Sequence, residues 1–231
     1  MRDHPASLML FAAGFGTRMG ALTADRPKPL VEVAGRPLID HALALTDIGP
    51  VRTRVMNVHY RADQLIDHVA DRPVTVTHET PDILDTGGGL RNALPALGEG
   101  PVFTLNSDAV WSGPNPLSAL AAAWDPARME ALLMLVPADR ARGHAGTGDF
   151  DIDARGRLTR SGPLTYTGAQ IIRPDRLSQV KQDVFSLNVI WRQMEAVGTL
   201  FGLVHPGGWC DVGHPGGITE AEAMLAETDL V

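Results

Sequence analysis

The 231-residue chain has little of several things, and each shortage excludes something. It holds one cysteine, Cys210, so no disulfide framework can staple it, and a reducing, cytoplasmic setting is expected. Basic side chains are scarce: 20 Lys and Arg stand against 27 Asp and Glu, a net charge of −7. That balance speaks against a nucleic-acid partner, which needs gathered positive charge to neutralise phosphates. No segment approaches the roughly 20 apolar residues that span a bilayer. The first apolar run, residues 8–13, passes straight into Gly14, unlike a signal segment. No membrane partner is expected. Lysine occurs only at Lys28 and Lys181, arginine supplying the other positive charges.

What is present is ordinary for a globular protein, 44% hydrophobic and 20% charged. A domain of this size buries roughly 70–75% of its unfolded surface, enough for one large core. Short apolar runs alternate with amphipathic stretches. Residues 8–13, 51–59, 74–78, 102–105 and 131–136 read as strands; 37–48, 62–70, 89–97 and 116–124 read as helices. That order implies an α/β fold whose mainly parallel sheet carries helices on both faces. Ligands collect at the carboxyl ends of such strands. From residue 149 the pattern shifts to shorter strands at 149–153, 156–159 and 166–172. A helix at 184–196, a strand at 200–204 and a closing helix at 218–226 follow. No linker, repeat or low-complexity tract divides the chain, so a single domain is expected.

The first strand runs into Ala12-Ala13-Gly14-Phe15-Gly16-Thr17-Arg18-Met19-Gly20. Glycines let the backbone bend tightly, and successive amides in such a loop form a concave anion site to which Arg18 can add a planar fork. The loop lacks the Gly-Lys-Ser/Thr ending of the Walker motif. It also lacks the third glycine of the dinucleotide fingerprint, which disfavours a nicotinamide oxidoreductase. On spacing alone a tight turn explains the glycines equally well. Nearby, Arg26-Pro27-Lys28-Pro29-Leu30 holds one lysine between two prolines on a stiff backbone, suited to neutralising phosphate. Asn106-Ser107-Asp108 closes the 102–105 strand, where an aspartate can face a ligand crevice and bind Mg²⁺, or make an Asx turn.

The glycine loop and the Pro-Lys-Pro-Leu segment together resemble the sugar-1-phosphate nucleotidyltransferase family, whose signature is Ala-Ala-Gly-x-Gly-x-Arg-Met followed about ten residues on by Pro-Lys-Pro-Leu. The likeness extends over nearly the whole chain. It implies a three-layer αβα, Rossmann-like fold with a mixed, mainly parallel sheet, a nucleotide-binding half (1–136) and a sugar-binding half (137–231). It implies catalytic roles for Arg18 and Lys28, and nucleotide contacts from Ala12, Ala13, Gly14, Gly16, Thr17, Glu79 and Gly87. Asn106, Asp149 and Gly168 would contact the sugar. Asp108, with Asp211 of Trp209-Cys210-Asp211-Val212-Gly213, would hold one or two Mg²⁺ ions. Ser107 stands where a glycine is frequent. The partners implied are a nucleoside triphosphate, UTP favoured, and a sugar 1-phosphate. Residues 84–89, 148–150 and 185–188 look most like the branch acting on N-acetylmuramate 1-phosphate in peptidoglycan recycling. Glucose, N-acetylglucosamine and mannose 1-phosphates are the alternatives. A catalytically silent nucleotide-binding regulator is disfavoured, because Lys28, Asp108 and Asp211 are all retained.

Overall fold

The computed structural model describes residues 3–228. Strand and helix alternate through β1 (Ser7–Phe11), a short ribbon of β2 (Glu32–Val33) and β3 (Arg36–Pro37), α1 (Leu38–Leu45), β4 (Thr53–Val58), α2 (Ala62–His68) and β5 (Thr75–His78). They continue through α3 (Asp85–Leu97), β6 (Val102–Asn106), β7 (Ala109–Trp111), α4 (Pro116–Ala123) and β8 (Ala131–Pro137). The rest comprises β9 (Ala141–Arg142), β10 (Phe150–Ile152), β11 (Leu158–Arg160), β12 (Leu164–Ile172), α5 (Asn188–Ala196), β13 (Leu200–Val204), β14 (Trp209–Asp211) and α6 (Pro215–Thr228). Among the described residues no helix is long and apolar enough to cross a membrane.

The main sheet runs β11-β10-β12-β6-β1-β4-β5, with β8 also paired to β12 and β13 lying beyond β8. β6, β1, β4 and β5 are parallel, as are β8 and β13; β12 runs against both β6 and β8. Alternation along β1 shows why both faces must be covered. Leu8 and Leu10 enter a core with Ile39 of α1, Leu65 of α2 and Leu117 of α4. Met9, between them, enters a second core with Leu90 of α3 and Ile190 of α5. This is the three-layer arrangement the alternating pattern implied. A smaller sheet, β7-β14-β9, carries its own apolar cluster, in which Val110, Cys210 and Val212 meet Ala221 and Met224 of α6.

Two helices start four residues away from the sequence reading. α3 begins at Asp85, not at residue 89, so Gly87, Gly88 and Gly89 lie inside its first turns. α5 begins at Asn188, not at residue 184. One contact explains both. The Phe185 carbonyl accepts the amides of Gly87 (2.8 Å) and Gly88 (3.1 Å), which holds 184–187 outside α5 and against the start of α3. The glycines admit that strap: a Cβ at Gly87 would sit 2.4 Å from the Phe185 ring. The N-cap residue of α3, Leu84, makes no side-chain cap. Thr86 Oγ1 accepts the Leu187 amide at 3.1 Å.

Candidate active site

A cleft of about 230 Å³ opens at the carboxyl ends of β1, β4 and β6. Ala12, Ala13 and Gly14 form one wall, Glu79, Asp85 and Thr86 another, and Lys28 with Asn106 and Asp108 closes one end. β1 delivers the glycine loop because its parallel partners hold it at the centre of the sheet. Past the cleft wall, Gly16 adopts φ 65° and starts a 3₁₀ segment, Thr17–Thr23; its carbonyl accepts the Met19 amide at 2.9 Å. Thr17 and Arg18 are exposed, and Arg18 reaches back so that a Cβ on Gly213 would lie 2.9 Å from its Nη1.

The two distant aspartates converge. β14 pairs antiparallel with β7 in the register Asp211↔Ala109, and the Val212 amide donates to the Asp108 carbonyl at 2.9 Å. Two acids about a hundred residues apart in sequence therefore leave adjacent rungs of one ladder. Lys28, only 8% exposed, donates Nζ to Asp108 Oδ2 at 2.7 Å. The Asp211 carboxyl is pushed above its ordinary value first by burial and then by the negative charge of Asp108, while Lys28, Arg18 and His144 pull it back. Four of the residues named from sequence, Arg18, Lys28, Asp108 and Asp211, thus share one electrostatic neighbourhood. Two neighbouring carboxylates fit a hard, oxygen-seeking cation that takes its other ligands from water and phosphate. No group of three or more His, Cys, Asp or Glu among the described residues is arranged to hold a metal alone.

Asn106 and Gly168 meet across β6 and β12. Gly168 lies in a register shift of β12 at φ 87°, and a Cβ there would fall 2.7 Å from Asn106 Cγ. Such bulges re-aim a strand beside a site. Trp209 Nε1 donates to the neighbouring Thr167 carbonyl at 3.0 Å, which ties β14, and so Asp211, to this bulge. Ser107, the departure from the family pattern, donates Oγ to the Phe11 carbonyl at 2.7 Å and fastens the Asp108 turn to β1.

Three predicted residues have polar groups already engaged within the protein. Gly87 lies outside the cleft lining, under Phe185 with its amide already bonded. Asp149 also lies outside it, its Oδ2 accepting the Tyr166 amide at 2.9 Å. Glu79 borders the cleft, but its carboxylate is 1% exposed and accepts from Asn57 Nδ2 (2.7 Å) and the Leu84 amide (2.8 Å). Two residues were missed. Asn57 accepts the Ala12 amide at 2.9 Å, and a polar residue in the apolar run 55–58 was the available signal. His144 brings Nδ1 to 4.0 Å from Asp211 Oδ2, and nothing in its sequence context marks it.

Comparison with known proteins gives the family and the fold. Residues 8–196 match the family model described as the MobA-like NTP transferase domain. The chain is 42% identical to the N-acetylmuramate alpha-1-phosphate uridylyltransferase of Caulobacter vibrioides, over 98% of this chain and 100% of that protein. It is 30% identical to the enzyme of that name from Neisseria meningitidis, over 94% and 96%. A probable mannose-1-phosphate guanylyltransferase of Oryza sativa is 29% identical over 90% of this chain and 61% of its own length. Among solved structures, HddC from Yersinia pseudotuberculosis complexed with GMP-PN superposes with a TM-score of 0.76, covering 95% and 99% of the two chains at 21% identity, and shares the fold.

Proposed function

The chain belongs to the MobA-like NTP transferase family, and on that premise we propose that it transfers a uridylyl group from UTP to N-acetylmuramate 1-phosphate, forming UDP-N-acetylmuramate and pyrophosphate in peptidoglycan recycling. The observation that carries the reading is the meeting of Lys28, Arg18, Asp108 and Asp211 beside the phosphate loop. The substrate assignment is supported by end-to-end similarity to two enzymes bearing that name.

A sugar-phosphate oxygen forms a bond to the α-phosphorus, and the bond to the bridging oxygen of pyrophosphate breaks. The attacking oxygen is already ionised near neutral pH, so no general base is needed. The work is placement of two polyanions and neutralisation of their charge. The loop of Ala12, Ala13, Gly14, Gly16 and Thr17 receives the phosphates. Lys28 keeps two of its three N–H donors after bonding Asp108 and turns them to phosphate oxygens, while Arg18 adds its fork from the side of Gly213. Asp108 and Asp211 would hold Mg²⁺, which supplies neutralisation of the triphosphate when bound. Residues 1–136 serve the nucleotide and 137–231 the sugar, with Asn106 and Gly168 at the junction.

The test is a panel of N-acetylmuramate, N-acetylglucosamine, glucose and mannose 1-phosphates against the four common triphosphates with Mg²⁺, following pyrophosphate release. N-acetylmuramate 1-phosphate with UTP is expected to give the highest kcat/KM. A higher value for mannose 1-phosphate with GTP would move the assignment to the guanylyltransferase side of the family.

A further inference from the structure

The cleft has an internal tie that the transfer chemistry does not use. Asn57 and Glu79, 3% and 1% exposed, sit on neighbouring parallel strands or just beyond them, between the two walls. A continuous line of hydrogen bonds runs through them. The Ala12 amide donates to Asn57 Oδ1 (2.9 Å), Asn57 Nδ2 donates to Glu79 Oε1 (2.7 Å), and the Leu84 amide donates to Glu79 Oε2 (2.8 Å). The line begins in the phosphate loop and ends in the segment that leads to Ile83, Asp85 and Thr86 on the opposite wall. Helix α3 closes over it: a Cβ on Gly89 would lie 2.6 Å from Glu79 Oε1 and 2.9 Å from Asn57 Nδ2.

Both ends of this line are backbone donors, and that imposes a parity rule. Of the four side-chain atoms between them, three must accept and one must donate. Asn with Glu satisfies the rule. Asn with Gln offers two donors and leaves one mismatched contact however the amides are turned, while Asp with Glu offers none as long as both carboxylates are ionised and gains one only by taking up a proton onto the buried pair. In a buried position a mismatch is strongly unfavourable.

We propose that Asn57 and Glu79 are positioning residues that fix the distance between the phosphate loop and the 79–86 wall, so that a nucleoside triphosphate is gripped at both ends at once. This rests on the reading that the cleft takes the triphosphate. It gives Glu79 a part played through the Leu84 amide instead of direct contact with the base.

The experiment compares Asn57→Asp, Glu79→Gln and the double variant. Affinity is measured by calorimetry for the triphosphate alone, and by KM for each substrate with the triphosphate that the wild-type enzyme uses best. A preference for a base other than uracil then overturns the substrate assignment and leaves the relay comparison intact. At a pH where both carboxylates of the Asn57→Asp variant are ionised, each single variant is expected to weaken triphosphate affinity roughly tenfold or more, Glu79→Gln from one mismatched buried contact and Asn57→Asp from two facing buried carboxylates. The KM for the sugar phosphate should move far less. The double variant restores three acceptors and one donor with the total charge unchanged, and should return to within about threefold of wild type. Folded single variants that bind the triphosphate as wild type does would overturn the proposal. So would a double variant no better than the poorer single one, including the case in which all three fail to fold. Single variants that fail to fold beside a double variant that folds and binds would support it.

Discussion

Gly14 and Gly168 both belong to the proposed site, yet their surroundings predict opposite responses to one added methyl group. At Gly14 nothing lies within 4 Å of a Cβ, and the backbone is not left-handed. Gly14→Ala should therefore leave the fold untouched or stabilise it by about 0.4–1 kcal/mol, through loss of freedom in the unfolded chain. For a chain of this length that is a rise of up to roughly 4 °C in Tm. The open space is the cleft itself, so the methyl should collide with ligand. A clash of about 1–3 kcal/mol corresponds to roughly a 5- to 150-fold loss of triphosphate affinity. Gly168 has φ 87°, and its Cβ would meet Asn106 at 2.7 Å. Left-handed strain of about 1–2 kcal/mol adds to overpacking of about 1–3 kcal/mol, a loss of roughly 2–5 kcal/mol. That corresponds to a fall of roughly 4–20 °C in Tm. Thermal unfolding and triphosphate calorimetry on the two variants check the contrast. A Gly14→Ala protein that is clearly destabilised, or that binds triphosphate unchanged, refutes the view that this glycine is open for ligand contact.

Lys28→Met should keep the fold while kcat/KM falls about 10²–10³-fold, the usual effect of removing a preorganised charge from a transition state; a loss below tenfold in steady-state assays would remove Lys28 from that role. Asp211 has a folded pKa raised by burial and by Asp108, so its stabilising contribution is present at low pH and is lost as pH rises through the folded value. Metal-free Asp211→Asn should accordingly be more stable than wild type at neutral pH, with the gap closing towards pH 4 in chelator-containing denaturant titrations. Added Mg²⁺ should stabilise wild type alone. Gly87→Ala should lower stability by about 1–3 kcal/mol, because its Cβ would lie 2.4 Å from the Phe185 ring. Truncating that ring with Phe185→Leu should recover part of the loss in thermal melts.

The phosphate loop, Lys28 between its prolines and the aspartates at strand ends were legible because their chemistry is local: glycine spacing, fixed φ and a strand terminus are written in consecutive residues. The parallel sheet was legible for the same reason, since runs such as 102–105 and 131–136 are too apolar to face water on either side. Residue 184 as a helix start was not, because the apolar spacing of 184–196 continues smoothly and it is the bonds from the Gly87 and Gly88 amides to the Phe185 carbonyl that hold 184–187 outside the helix. Glu79 borders the cleft and Gly87 lies behind it, and nothing near either in sequence announces their partners Asn57 and Phe185. Composition and local motif therefore determined the architecture and the inventory of charged groups. Which of those groups face one another was decided by strand register, above all by the pairing of Asp211 with Ala109. Register depends on how whole strands fill a core, and no short stretch of residues contains that information.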